Sequence, residues 1–168
     1  MDRIIGGFDV DTYSDAPLRV TRMAYFDTSP KNIFAVISKH SHLDQWMPLV
    51  KRVYLNRGHA DVFNGVGTTR YLDTTFATVR EYVIAFDPPR LMAYSIEQHV
   101  LVIDHVSVIH LEPERYGGTY LTWQHYFRTS TLPLITQPLV SLVLYFVFTS
   151  ALRNLTQHYN GRLIAKIP

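Results

Sequence analysis

The feature that most constrains the fold is one long segment of helical periodicity at the C-terminal end of a chain otherwise made of short strand-like runs. The apolar residues that recur there at spacings of three and four are Tyr145, Phe148, Leu152, Leu155, Tyr159 and Leu163. This spacing predicts an amphipathic helix, which we place at residues 138–163. At 1.5 Å per residue such a helix extends roughly 38 Å, which is long enough to cross a whole sheet.

Short runs of strand character precede this helix and are separated by turn residues. The first run, residues 18–26, is followed by Ser29 and Pro30, which suit the N-cap and first turn of a short helix. A second helical turn is expected near residues 42–46. The other strands are predicted at residues 50–56, 67–72, 76–86, 91–98, 104–111 and 119–128.

Because no crossover helix separates one strand from the next, the sheet is expected to be antiparallel throughout. The sequence therefore predicts an α+β fold, a seven-stranded antiparallel sheet wrapped around a long C-terminal helix. Residues 1–17 lack periodicity and are interpreted as a loosely held N-terminal arm, and residues 18–168 as a single domain. A closed sheet and helix of this kind enclose a cavity, which is where function is expected.

Composition excludes several classes of function. The chain has 168 residues, 47% of them hydrophobic and 18% charged, which is typical of a globular domain. The net charge is only +2 and the basic residues are scattered, so we do not expect nucleic acid binding. There is no cysteine, which excludes disulfides, thiolate catalysis and cysteine-ligated zinc.

The expected location is the cytoplasm. The N-terminal residues lack the basic and apolar segments of a signal peptide. The long apolar run from Leu139 to Leu152 contains Ser141, Thr149 and Ser150 and is shorter than the roughly 20 residues that span a membrane. We therefore expect no integral membrane segment. Phosphate-binding and dinucleotide-binding glycine motifs are also missing from the sequence, and we expect no cofactor.

A series of short signals extends from Leu18 to Leu163. In chain order they are Ser29-Pro30 with Ile33-Phe34, Leu43 with Trp46 and Pro48, Gly65-Val66-Gly67-Thr68-Thr69-Arg70, Glu81 with Asp87-Pro88-Pro89 and Tyr94, and Gly117-Gly118-Thr119 with Leu121-Thr122-Trp123. In this order they resemble the START-like, helix-grip superfamily, and within it the SRPBCC group of polyketide cyclases, dehydrases and lipid-transport proteins. The resemblance implies the fold. It implies no activity, since the group contains carriers, sensors and cyclases without a shared catalytic motif.

His125 is the first candidate for a functional side chain. On the last predicted strand it shares one face with Leu121, Trp123 and Phe127, and this more apolar face should point to the helix. An imidazole there has two interpretations. It is a functional group, which anchors a polar part of a ligand or acts as an acid or base, or it is a core histidine with a hydrogen bond to a neighbouring hydroxyl or carbonyl. The turn at residues 113–118 decides whether His105 or His110 joins it, because a slip of one residue reverses the face.

The predicted ligand-binding residues are Arg70, Glu81, Tyr94, His110, Trp123, His125, Tyr145 and Phe148. Arg70 and Glu81 lie on adjacent strands and would have to pair or meet a ligand charge if buried; a cross-strand ion pair on the solvent face is the alternative. Trp123 also suits a structural anchor. His40, His42, His59 and His99 are expected in solvent, and the spacing of the eight histidines predicts no metal site.

These observations favour a protein that binds a small hydrophobic or aromatic molecule, lipid-like or polyketide-like, between sheet and helix. One alternative is a cyclase or dehydratase that uses the same cavity, so catalysis is left open. Another is an interaction module that forms a homodimer through the surplus apolar face of the helix. A cavity of several hundred Å3 would favour carrier or enzyme, and a collapsed cavity the interaction module.

Overall fold

The computed structural model describes residues 3–58, 60–99 and 101–165. For Gln98 it describes the backbone alone. His59 therefore lies outside the described residues. The strands are β1 (Ile4–Ile5), β2 (Phe8–Asp9), β3 (Leu18–Phe26), β4 (Val50–Asn56), β5 (Thr69–Thr74), β6 (Thr78–Asp87), β7 (Leu91–Gln98), β8 (Val102–Pro113), β9 (Thr119–Thr129) and β10 (Gly161–Ile164). The α-helices are α1 (Pro30–Ile37) and α2 (Pro133–His158), and short 3-10 helices span Val10–Thr12 and His40–Gln45.

Within the described residues, eight strands form one sheet in the order β10-β3-β9-β8-β7-β6-β5-β4, and each neighbouring pair is antiparallel. From β4 to β9 each strand pairs with its successor, as is usual for strands that follow one another along the chain. β3 lies between β9 and β10, so an early strand pairs with the two latest ones. The predicted fold class is confirmed, with β10 as an additional strand.

The inner face of the sheet follows the predicted alternation along β9. Leu121, Trp123, His125 and Phe127 are all buried, whereas Tyr120 on the other face is exposed. α1 closes one end of this core. It begins after Ser29, the N-cap residue, with Pro30 in its first turn, and it buries Ile33, Phe34 and Ile37. The local signals for this helix therefore give its correct position.

Helix α2 differs from its predicted range at both ends. It starts at Pro133, where a missing N–H costs no hydrogen bond, and it tolerates Pro138 inside. It ends at His158 because Asn160 has φ 47° and Gly161 passes close to β3. A Cβ at Gly161 would lie 2.5 Å from the carbonyl oxygen of Tyr25. The prediction that Leu163 belongs to the helix was therefore wrong, since Leu163 pairs with Ala24 in the sheet.

The two halves of α2 have different surroundings. In the C-terminal half, Phe148, Ala151, Leu152 and Leu155 are buried against the sheet. In the N-terminal half, from Pro133 to Val147, most apolar side chains are exposed. Among the described residues α2 is the one helix that is long and apolar enough to cross a membrane, by length and composition only. Part of this apolar character belongs to the C-terminal half, whose apolar side chains pack against the sheet.

The N-terminal arm packs against the outer face of the sheet instead of lying loose. β1 and β2 form a small hairpin of their own. Phe8 and Val10 are buried in a second apolar cluster with Val106, Val108 and Tyr126. These last residues belong to the faces of β8 and β9 that point away from α2, so the arm covers the surface opposite the main core.

Leu152→Ala tests the packing of α2. Leu152 is completely buried in the main core, and its truncation should lower the free energy of unfolding by about 2–5 kcal/mol. Arg153→Ala, an exposed neighbour on the same helix, should change it by less than about 0.5 kcal/mol. Urea unfolding measures both. Similar losses for the two variants would contradict the orientation of the helix.

Candidate functional site

The site is built around His125, which lies on the inner face of β9 under helix α2. Its ring is completely buried and stacks on Phe148 with ring centroids 3.7 Å apart. The Trp123 ring lies 5.2 Å away on the same strand. His125 therefore points inward, as predicted, and its aromatic partner on the helix is Phe148.

Ser107 of β8 connects two of these side chains by hydrogen bonds. Its Oγ accepts the indole N–H of Trp123 at 2.8 Å and lies 3.1 Å from Nδ1 of His125. Because the serine oxygen already accepts from Trp123, its own hydrogen can be donated to Nδ1. In the tautomer that accepts this hydrogen at Nδ1, the proton of the neutral ring is on Nε2. Within the described part of the chain, this buried Nε2 has no hydrogen-bond partner.

His105, and not His110, shares the inner face with His125. The turn after β8 pairs Ser107 with His125 and Ile109 with Trp123, so the odd-numbered residues of β8 from His105 onward point inward. The His105 and His125 ring centroids are 6.0 Å apart. His110 pairs with Thr122 and lies under the N-terminal arm, where a Cβ at Gly6 would come within 2.6 Å of its Nε2. The choice of His110 for the site is corrected accordingly.

Arg70 and Glu81 form a buried ion pair on adjacent inner positions of β5 and β6. Nη2 of Arg70 lies 2.6 Å from Oε2 of Glu81, and both side chains are buried. Burial raises the pKa of Glu81 despite the attraction of Arg70. The guanidinium also lies over the ring of Tyr94, with its carbon 4.3 Å from the ring centroid. The alternative of a pair on the solvent face was therefore wrong.

His40 belongs to this cluster and was wrongly expected in solvent. It accepts a hydrogen bond from Nη1 of Arg70 at Nδ1 over 3.1 Å, and its Nε2–H donates to the carbonyl of Asn64 over 3.0 Å. Burial, and then the nearby Arg70 charge, lower the pKa of His40 to about 3. No local sequence signal pointed to this role, because the 3-10 helix at His40–Gln45 looks like a surface turn.

Tyr94 and Tyr145 occupy different environments. Tyr94 is buried between Arg70 and His105, and burial followed by the charge of Glu81 raises its pKa. Tyr145 is 40% exposed and lies over Arg22 of β3, whose guanidinium carbon is 4.3 Å from the ring centroid. Sequence analysis did not identify Arg22, although alternation along β3 would have placed it on the inner face.

The interior beside the ion pair is almost filled. The cavity between the Arg70–Glu81 pair and Trp123 has a volume of about 10 Å3, close to the space that one water needs. Larger hollows open to solvent, including a groove of about 290 Å3 between α1 and the end of α2. The polar residues of the site thus meet in a closed core. Among the described residues, no group of three or more His, Asp or Glu side chains could hold a metal ion.

Comparison with known families agrees with this architecture. The model of the family described as "Polyketide cyclase / dehydrase and lipid transport" matches residues 17–160. The chain belongs to this family. The match covers every strand of the large sheet except β10 and includes the whole of α2. It confirms the resemblance drawn from the short sequence signals.

Several solved structures share the fold at low sequence identity. The di-domain ARO/CYC StfQ from the steffimycin biosynthetic pathway has 15% identity and a TM-score of 0.70, covering 84% of this chain and 50% of that chain. A START superfamily protein from Mycobacterium smegmatis has 14% identity and a TM-score of 0.70, covering 86% of this chain and 98% of its own. XoxI from Bacillus cereus has 19% identity and a TM-score of 0.69, covering 83% and 94%. A search of curated proteins found no match.

The buried histidines make stability depend on pH. Burial is the main cause that lowers the pKa of His40 and of His105 to about 3, and that of His125 well below its usual value. The unfolded chain takes up these protons below about pH 6.5 and the folded chain does not. Stability is therefore complete above that pH and falls as the pH decreases. Each ring contributes up to about 1.4 kcal/mol per pH unit, and proton uptake by folded Glu81 opposes part of the effect.

Urea unfolding between about pH 7 and about pH 5 measures this slope, and His125→Leu provides the matched variant. Leucine suits the apolar wall, so the variant should fold and its free energy of unfolding should depend less steeply on pH. Equal slopes for the two proteins would contradict a neutral, buried His125.

Proposed function

We propose that this protein binds a small apolar or aromatic molecule between the inner face of the sheet and helix α2. The proposal rests on one observation above all. His125 is enclosed by Phe148, Trp123 and His105, yet its Nε2 has no hydrogen-bond partner among the described residues. A buried polar atom left without a partner costs free energy, and a ligand acceptor such as a carbonyl oxygen would remove that cost.

The nearly filled interior means that a ligand must displace a side chain. Phe148 is the side chain in question, because its ring lies directly on His125. The half of α2 that precedes it is mostly exposed and therefore makes fewer contacts that would have to break. A ligand that loses roughly 300 Å2 of apolar surface gains several kcal/mol, which is enough to offset such a rearrangement.

Acid–base catalysis in the closed site is less well supported than binding. A general base works best when its pKa lies near the operating pH. The pKa of His125 is well below that range, and the pKa of Tyr94 is raised, both mainly by burial. Arg70 is already paired with Glu81. A cyclase or dehydratase activity would need an open state that rehydrates these groups.

Phe148→Ala tests the binding site with N-phenyl-1-naphthylamine, an uncharged fluorescent probe. Removing the ring leaves space beside His125, so the probe should bind roughly tenfold more tightly than to the wild type. Phe146→Ala is the matched control, because Phe146 lies on the same helix and is exposed. It should leave the affinity unchanged. Fluorescence titration gives both dissociation constants, and circular dichroism verifies folding; Phe148→Leu serves if the alanine variant is unstable.

The same pair of variants separates a buried site from adsorption on the helix surface. Weaker binding to Phe146→Ala with no change in Phe148→Ala would place the probe on the exposed face of α2. That result would contradict the proposed function.

Self-association through α2 is the second candidate function, and the small cavity favours it. The exposed residues of the N-terminal half that recur at spacings of three and four are Ile135, Leu139, Leu142 and Phe146. The chain has no charged residue from Ser130 to Leu152. Apolar residues spaced by three and four allow two helices to pack along a shared seam. We therefore propose a second copy of this chain as the partner.

Leu142→Glu tests this interface, since a charge in the seam should convert a dimer to a monomer. Light scattering coupled to size-exclusion chromatography gives the molar mass. Val62→Glu, at an exposed apolar residue outside the helix, should leave the molar mass unchanged. A wild-type protein that is monomeric at about 0.1 mM would exclude the interface as a stable dimer contact.

A further inference from the structure

We propose that Arg22 is an anchor for an anionic group, so that the ligand of this protein is an apolar or aromatic acid. The proposal rests on the binding function proposed above and specifies the class of ligand. The relevant anions are carboxylates, sulfonates and phenolates, which a guanidinium can bind through a pair of N–H groups.

Arg22 points into the same space as His125. On β3 it pairs directly with Trp123 of β9, and residues directly opposite each other in an antiparallel pair share one face. The side chain is buried, with an exposed fraction of 7%. Tyr145 of α2 covers the guanidinium and is itself partly exposed. The charge is therefore one side-chain layer below solvent, at the edge of the helix–sheet interface.

A comparison with Arg70 shows what Arg22 lacks. Each guanidinium carbon lies 4.3 Å from the centroid of a tyrosine ring, Tyr94 for Arg70 and Tyr145 for Arg22. Arg70 also has the carboxylate of Glu81 at 2.6 Å. Arg22 has no ion-pair partner among the described residues, and this is the difference, because the buried Nε of each arginine has no hydrogen-bond partner there.

A buried guanidinium nitrogen without a partner is costly, and a tyrosine ring compensates only part of that cost. A ligand anion would supply the missing partner and hydrogen bonds. The surroundings also fix where the rest of the ligand lies, because Trp123 and Phe148 form an aromatic pair 4.5 Å apart beside Arg22. The anionic end would contact Arg22, and the apolar body would extend along these rings towards His125.

Two fluorescent probes with the same skeleton test the anchor. 1-Anilinonaphthalene-8-sulfonate carries a sulfonate, and N-phenyl-1-naphthylamine does not. Arg22→Met keeps the apolar stem and removes the charge, so it should weaken binding of the sulfonate roughly tenfold or more and leave the uncharged probe within about twofold. Arg19→Met, at an exposed arginine of the same strand, removes the same charge and should change neither affinity appreciably.

The outcomes distinguish this inference from the proposed function. Equal weakening of both probes by Arg22→Met, or an equal loss of sulfonate binding in Arg19→Met, would overturn the anchor and leave the binding site intact. Wild-type protein that binds neither probe would overturn both proposals. If Arg22→Met does not fold by circular dichroism, Arg22→Lys replaces it: the lysine keeps the charge without the paired N–H groups, and unchanged sulfonate binding would then count against the anchor.

Discussion

The contact between the C-terminal half of α2 and the inner face of β3 and β9 is the constraint on which the other features depend. Phe148, Ala151, Leu152 and Leu155 seal this face from water. Every polar side chain beneath them loses hydration, and the chain must supply other partners or leave the groups unpaired. Burial lowers the pKa of His125 under the helix for this reason, and burial elsewhere in the core lowers the pKa of His40 and His105 and raises those of Glu81 and Tyr94.

The buried polar groups fall into two sets that differ in completeness. Around Arg70, a continuous chain of contacts connects Glu81, His40 and the backbone of Asn64. Among the residues that the structure describes, His125 has a hydrogen-bond partner at Nδ1 but not at Nε2, and Arg22 lies against the ring of Tyr145 without an ion pair. The Arg70 set has more partners, although Nε of Arg70 and Oε2 of Glu81 also lack a hydrogen bond among the described residues, and the set with fewer partners marks the place where a ligand would gain most. The first set is best understood as structural and the second as available for binding.

Local patterns predicted the elements and the inward direction of His125, because strand alternation and helix caps depend on neighbouring residues only. The histidine partner on β8 could not be predicted in the same way, since the choice between His105 and His110 depends on the register across a turn. The burial of His40 depends on contacts with Arg70 and Asn64, which are distant in sequence. Two misses had local signals: Asn160-Gly161 is a strong turn dipeptide, and alternation along β3 places Arg22 inward.

The position of β3 in the sheet has a consequence for how the chain is made. β3 is synthesised early, but its two neighbours, β9 and β10, and the helix that covers it come last along the chain. Until those residues leave the ribosome, the apolar inner face of β3 has no partner to bury it. Such distant pairing slows folding and lengthens the period in which unpaired strand edges can aggregate. We therefore expect the nascent chain to depend on chaperones until α2 and β10 have been translated.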